Sequence, residues 1–398
     1  MKKLLQINVC LNLSTGKIAQ AIGEKAIAHD WESWIAYSGR MPLVPSKSHV
    51  IKVGSKIDPY IHYACNRVFD LEGRASWFAT KELICKIKEI QPDVVQLHNI
   101  HDHYLNYPLL FRYLNETDIK VVWTFHDCWA FTGHCYHFVE ANCMKWQTEC
   151  EDCPQKGRFQ DRSRENFNLK KSLFTGNKNL TIVPCSDWMA GFVKESFLKD
   201  KRIEVIKNGV DLGTFRPVEK VENVNEGKRR FGILAVSNVW HQSKGLYDIF
   251  KLREILSEND YKITMVGLTA DQLKTLPAGI KGIQRTQNVQ ELVQLYAKSD
   301  VLINPTYADT FPTVNLEALA CGTPVITYKT GGSPEAIDEK TGLVVEQGNV
   351  TAMANAIMLM RDKPLKSEDC RKRAEELFDK DKCFEKYIEL YEELIRKD

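Results

Sequence analysis

No run of apolar residues in the sequence is long enough to span a bilayer, which argues against a membrane-crossing helix. Neither sign of charge dominates. Against 54 Lys and Arg stand 52 Asp and Glu, and a formal net charge of +2 gives no overall electrostatic reason to expect nucleic acid. Short internal repeats and low-complexity tracts are also missing, which leaves ordinary globular packing. The opening MKKLLQINVCLNLSTGK sets two lysines before an apolar stretch, as a secretory leader does, yet Gln6, Asn8 and Asn12 interrupt it. A buried first strand is the better reading. These absences together predict a cytoplasmic protein, with peripheral contact at the inner face of the cell membrane left open.

What is present is a chain of 398 residues, more than one core normally serves, so two domains are expected. Apolar runs rich in Val and Ile recur at LLQINVCL, ESWIAYSG, DVVQLHNI, KVVWTFHD, TIVPCSD and IEVIKNG, with helical stretches such as SWFATKELICKIKEI between them. That alternation predicts parallel strands covered by helices on both faces. A polar stretch, RPVEKVENVNEGKRR, interrupts it, and the alternation restarts at RFGILAVSN, YKITMVG, KGIQRT, DVLINPT and TPVITY. The prediction is an α/β protein of two doubly wound, Rossmann-like domains facing each other across a cleft, with ligands at the carboxyl ends of the strands. The boundaries fall at 1–217, with a Cys-rich insertion over about 128–165, and at 228–375. Residues 376–398 form a terminal helix, with Phe384, Tyr387, Leu390, Tyr391 and Leu394 on its packed stripe, set back on the first domain.

The stretch DTFPTVNLEALACGTPVI, residues 309–326, carries a site. A strand, DVLINPT, runs into a short helix ended by Gly322. Pro312 suits the first helical position, where its missing N–H costs nothing. The N–H groups of Thr313, Val314 and Asn315 would then point outward without internal partners, a ready place for a diphosphate. Glu317, one turn in, suits a ribose diol, and Asp309 suits sugar hydroxyls, because ionised carboxylates only accept hydrogen bonds. The plainer alternative is that both acids merely favour the helix dipole, for about 0.3–1 kcal/mol each.

Asp309, Phe311, Glu317, Ala318, Ala320, Gly322, Pro324, Val325 and Ile326, followed by GGSPE at 331–335, resemble the signature of the family 4 retaining glycosyltransferases of GT-B fold. In that family a carboxylate and a glutamate bracket a nucleotide-sugar; the first is commonly Glu, and here it is Asp309. LNLSTGKIAQAI, with Gly16, resembles the first loop and helix of the family's N-terminal domain. Asn208-Gly209-Val210-Asp211, with Phe215 and Pro217, resembles its interdomain segment, and SNVWHQSKGL at 237–246, with Asn238, its phosphate-clamp loop.

The resemblance implies transfer of a sugar from a nucleoside diphosphate with retention, and without a catalytic metal. The departing charge must then meet a helix N-terminus and a cation, for which the resemblance offers Lys244. Where the family adds an arginine, this loop offers Asn238, His241, Gln242 and Ser243, so either Lys244 and the amides suffice or Arg285 reaches in. The base would be read near Ile283–Arg285. His126, ending the strand KVVWTFHD, matches the family's histidine beside the donor sugar. His98 ends the preceding strand and could join it, whereas His101 and His103 read as polar loop residues. A metal-dependent GT-A enzyme would need Asp-x-Asp after an apolar strand; the one such triplet, Asp379-Lys380-Asp381, opens a charged helix instead.

Twelve cysteines are many for a reducing compartment. Cys135, Cys143, Cys150 and Cys153 crowd one segment, the last two spaced C-x-x-C, and their type and spacing suit a structural zinc site, with His134 a substitute ligand. Disulfides and redox-active thiols are the competing readings. Trp129, Phe131, Tyr136 and Trp146 could stack on sugars or pack against that loop. The expectation is a retaining hexosyltransferase of surface-polysaccharide assembly, with a nucleoside-diphosphate-sugar donor, a glycan or lipid-linked acceptor and no nucleic acid. A nucleotide-sugar epimerase of the same fold, or a non-catalytic sugar-binding scaffold, is the alternative.

Overall fold

The computed structural model describes residues 1–139, 141–155, 159–219 and 229–396. The polar stretch expected to link the domains falls largely on 220–228, outside those residues. The chain forms two compact bodies, Met1–Lys207 with Phe384–Asp398, and Asn208–Cys383. Residues 208–217, assigned above to the first domain, therefore go with the second.

The first body runs β1 (Lys3–Asn8), α1 (Ser14–Ala28), β2 (Glu32–Ser38), β3 (His49–Val53), α2 (Asp58–Phe69), α3 (Trp77–Ile90), β4 (Val94–Leu97), α4 (Tyr107–Asn115), β5 (Lys120–Phe125), α5 (Ser163–Gly176), β6 (Leu180–Pro184), α6 (Asp187–Glu195) and β7 (Arg202–Ile203). The second runs β8 (Phe231–Val236), α7 (Leu246–Ile255), β9 (Tyr261–Val266), α8 (Ala270–Lys274), β10 (Ile280–Ile283), α9 (Val289–Lys298), β11 (Val301–Asn304), α10 (Thr313–Ala320), β12 (Val325–Tyr328), β13 (Gly342–Val345), α11 (Val350–Asp362) and α12 (Ser367–Leu377). Helix α13 (Lys380–Arg396) follows.

Each body holds one sheet, ordered β3-β2-β1-β4-β5-β6-β7 in the first and β10-β9-β8-β11-β12-β13 in the second. Their paired strands are parallel. The central strands are buried on both faces, which is why β4 and β5 read as continuous Val-rich runs. β3 and β13 escaped the sequence reading because they are short edge strands with partly exposed residues, β3 also interrupted by Lys52. In each sheet the strand order reverses once, between β1 and β4 and between β8 and β11. At such a point the loops leaving two neighbouring strands diverge and open a crevice.

From α13, Tyr387 and Tyr391 reach buried positions on the first body. The Tyr391 hydroxyl donates to Gln96 Oε1 at 2.9 Å, and the Tyr387 hydroxyl meets Thr124 Oγ1 at 3.0 Å. Among the described residues, no helix is long and apolar enough to cross a membrane.

Candidate active site

At the reversal in the second sheet, the loop leaving β8 brings Lys244 to the loop leaving β11. Lys244 Nζ donates to Asp309 Oδ2 at 2.7 Å and to the Ala308 carbonyl at 3.2 Å. Two glycines make this approach possible. Gly245 has φ +75°, and a Cβ there would strike the Pro305 carbonyl oxygen. Gly331, at φ +59°, lies so close behind the Asp309 backbone that only hydrogen fits, and the Gly332 N–H donates to the Asp309 carbonyl at 3.3 Å. The GGSPE segment thus backs Asp309.

Helix α10 starts beside them. Pro312 is its N-cap, at φ −69° and ψ 115°, rather than its first helical residue, and supplies no side-chain cap. Asn315 donates its N–H to the Pro312 carbonyl at 3.2 Å, so it does not serve as the outward-pointing donor expected of it. Its side chain instead anchors the helix, accepting from Asn304 Nδ2 at 2.9 Å. Thr313 and Val314 are half-buried at the helix start. Phe311 is turned into the core against Phe378, with ring centroids 5.9 Å apart, and so is not placed to stack on a ligand. Glu317 Oε2 accepts from the hydroxyl of the fully buried Tyr296 at 2.8 Å. Burial first, and Glu317 second, push the Tyr296 phenol well above its ordinary value, so it stays a donor. No pattern in the sequence marked Tyr296.

The remaining predicted residues are more scattered. Asn238 is exposed at the β8 exit. Arg285 is exposed after β10, with β9 between that strand and β8, whose exit loop carries Lys244. Asn208 is buried, and the segment after it pairs with the turn before α13: the Val210 N–H donates to the Phe378 carbonyl at 2.7 Å, and Lys380 Nζ reaches Asp211 Oδ2 at 2.6 Å.

At the reversal in the first sheet, a relay fixes the histidines. Gln6 Nε2 donates to the Ala19 carbonyl at 2.7 Å, which turns its Oε1 toward His98 Nε2 at 3.1 Å. His98 Nε2 must then carry a proton, leaving Nδ1 as acceptor for His126 Nε2–H at 3.1 Å. The relay makes His126 Nδ1 the acceptor nitrogen. Burial pushes His126 down to about 4 and His98 well below its ordinary value, so both are neutral near pH 7. Gly16 is buried where α1 meets the β1 exit, and a Cβ would press on the Leu11 backbone. Its role there is close packing.

His101 is not the polar loop residue expected. It is buried, with Nε2 2.8 Å from Asp127 Oδ2 and Nδ1 3.3 Å from Asp102 Oδ1. Burial opposes its charge, but the two carboxylates outweigh it and hold His101 at about 10. Asp127, also opposed by burial, is held at about 2 by His101. Spacing alone could not show that Asp127, next to His126, is its partner.

Cys135, Cys143, Cys150 and Cys153 all line one small cavity with Phe138 and Trp146. His134, Cys135 and Cys153 bring one ligand atom each within 4.8 Å of one another. The donor set and its crowding fit a thiolate-bound metal. Trp129, Phe131 and Trp146 are buried and pack within this body rather than offering faces to sugars.

Two doubly wound bodies, each with its polar residues gathered at the strand-order reversal, define the GT-B glycosyltransferase architecture. Residues 34–214 match the model of Glycosyltransferase Family 4, and residues 230–362 that of Glycosyl transferases group 1. The first match lies almost wholly in the first body and the second within the second body. A relative named for colanic acid biosynthesis, the glycosyl transferase WcaC of Escherichia coli (strain K12), is 26% identical over 274 residues, 65% of each chain. For this relative, for N-acetyl-alpha-D-glucosaminyl L-malate synthase of Bacillus anthracis and for D-inositol 3-phosphate glycosyltransferase of Arthrobacter sp. (strain FB24), the alignments span 65%, 56% and 45% of the relative's own length. Among solved structures, sucrose-phosphate synthase from Thermosynechococcus elongatus superposes over 100% of both chains with a TM-score of 0.78 at 16% identity. Anabaena HepE, solved with UDP-glucose, covers 99% of this chain and 100% of its own at a TM-score of 0.65 and 14% identity.

Proposed function

We propose that the protein moves a hexosyl group from a nucleoside-diphosphate-sugar to a glycan or lipid-linked acceptor, with retention, in surface-polysaccharide assembly. The Lys244–Asp309 pair at the β8/β11 reversal, beside the start of α10, carries this reading. A diphosphate and a carboxylate within one small site repel each other unless a cation stands between them, and Lys244 is placed to do so. Amides at the α10 start add their partial positive charge to the departing diphosphate. Asp309 then accepts from sugar hydroxyls and Glu317, steadied by Tyr296, from the ribose diol. In the first body the family resemblance assigns the neutral His126 to a sugar hydroxyl.

The acceptor reading gains support from an inverted helix. On α2 and its entry, Ile57, Tyr60, Ile61 and Val68 share the exposed face, while Pro59 and His62 are buried. Phe69, Trp77 and Phe78 extend the patch, Phe78 at 77% exposure. Arg40 covers the Tyr60 ring, Lys81 covers Trp77 at 3.7 Å, and Lys56 and Arg67 are exposed beside them, against Glu82 of the opposite sign. An apolar, aromatic face rimmed by cations suits the surface of an anionic bilayer, where a lipid-linked acceptor would lie.

The test is a panel of nucleotide-sugars scored by thermal shift and by donor turnover with and without acceptor. One preferred donor should raise Tm and be consumed, and label should appear in glycan. No stabilisation by any donor refutes the reading, and free rearranged sugar without acceptor would mark an epimerase instead.

A further inference from the structure

We propose that His134, Cys135, Cys150 and Cys153 hold one zinc ion through three thiolates and one imidazole, with Cys143 outside the ligand set. Cys135 Sγ and Cys153 Sγ stand 3.8 Å apart, and His134 Nε2 lies 3.0 Å from Cys153 Sγ. Zinc bonds of about 2.3 Å in tetrahedral geometry place two sulfurs about 3.8 Å apart, whereas a disulfide would draw them to about 2.0 Å. Three ligand atoms are already gathered, those of His134, Cys135 and Cys153, and Cys150 is assigned as the fourth, to close on the ion when it binds. Cys150 precedes Cys153 in C-x-x-C spacing and lines the same cavity, and its Sγ accepts the Gly133 N–H at 3.3 Å, next to His134.

The surroundings are built for such a site. The other ring nitrogen of His134, Nδ1, stands 3.4 Å from Asp70 Oδ1, the carboxylate backing that zinc-bound histidines usually have. Asp70 Oδ2 accepts the Arg162 N–H at 2.6 Å, and Asp161 Oδ2 accepts the Cys153 N–H at 2.8 Å, so both acids tie the loop to the start of α5. An independent observation concerns charge. Lys170 is fully buried, donates to the Trp129 and Thr132 carbonyls at 2.8 and 3.1 Å, and lies 3.5 Å over the Trp129 ring. Burial lowers the Lys170 amine to about 7, so negative charge nearby is what would keep it an ammonium. Zinc with three thiolates and a neutral imidazole carries one net negative charge, which joins buried Glu72 in supplying it.

The site also reaches the strand ends. The Tyr136 carbonyl accepts the Cys128 N–H at 2.8 Å, and the Tyr136 ring packs on His101 at 4.5 Å. Zinc therefore acts as a clasp that positions the loop against the His101–Asp127 pair, without touching reacting atoms.

The test is metal analysis of the full chain purified without chelator, followed by replacement with cobalt(II). The expected result is one zinc per chain. The cobalt form should show thiolate charge-transfer absorption about three-quarters of that of a four-thiolate site. His134→Ala and Cys153→Ser should each lower retained zinc at least tenfold, and Cys143→Ser should retain it. Absence of zinc, with fewer than the sequence's twelve free thiols, overturns the site in favour of disulfides; absence of zinc with all thiols free overturns it as well. Zinc lost in Cys143→Ser but kept in His134→Ala overturns the ligand assignment. Should a variant fail to fold, the wild-type zinc content and cobalt spectrum still decide, and neither depends on transferase activity.

Discussion

His126 donates from Nε2 to His98 Nδ1 across 3.1 Å, and the direction of that bond is set in β1, where Gln6 holds the carbonyl of Ala19, 13 residues further along the chain. Gln6→Leu should therefore release the tautomer of both histidines. It strands the buried His98 Nε2–H without its acceptor, at a cost of about 1–3 kcal/mol, whereas the Ala19 carbonyl keeps its bond inside α1. The expected outcome is a lower denaturation midpoint together with a raised donor KM. A stability loss with unchanged KM would separate the relay from donor recognition.

Asp127→Asn breaks a buried ion pair and should cost about 3–5 kcal/mol. The pH dependence discriminates further. His101 is raised to about 10, above its unfolded value of about 6.5. Its contribution is therefore complete below about pH 6.5 and lost as pH rises toward 10. His126 and His62 are depressed to about 4 and about 3, so theirs are present above about pH 6.5 and lost as pH falls. Asp127 and Asp102 act on His101 by charge, the neighbouring His126 is neutral over this range, and Tyr136 packs on the His101 ring. Denaturant titrations at pH 6, 8 and 10 should show an alkaline decline in the wild type that is shallower in Asp127→Asn.

Lys244→Met should abolish donor-induced stabilisation and lower kcat/KM by at least a hundredfold, since it leaves Asp309 facing a diphosphate without a cation between them. Asp309→Asn removes that repulsion, so it should retain nucleoside diphosphate binding while losing turnover. Calorimetry with the free diphosphate and with the sugar donor tells the two variants apart.

Tyr296→Phe removes one buried donor to Glu317 without changing shape. The expected effect is a loss of about 1 kcal/mol in nucleotide affinity and a smaller one in fold stability. Equal donor affinity in the variant would show that Glu317 needs no support.

Ile57→Asp combined with Ile61→Asp should leave the fold intact, because both side chains are exposed at 66% and 58%. Flotation with vesicles of anionic phospholipid should lose the variant while the wild type floats. Equal flotation of the two, or none of either, would remove the bilayer from the reading.

The doubly wound order was legible because buried parallel strands read as apolar runs, and because polar residues such as Asn304 and His126 fall at their ends. Asp309, Glu317 and Lys244 could be found from one motif and one loop. Their supports could not: Tyr296 lies 21 residues from Glu317, and His101 lies 26 residues from Asp127. Nor does a motif say which way a ring points, and Phe311, prominent in the signature, proves to be core. Pro312 shifted by one position because an N-cap and a first helical residue share the same φ and differ in ψ.

The buried hydroxyls of Tyr387 and Tyr391 close over strands β4 and β5 from the far end of the chain. While the polypeptide is still being made, Gln96 and Thr124 have to wait for more than 250 further residues before those hydroxyls emerge from the ribosome. The usual order of synthesis, in which a leading domain finishes before the next begins, is thus closed to this protein. Its first-made half is completed last.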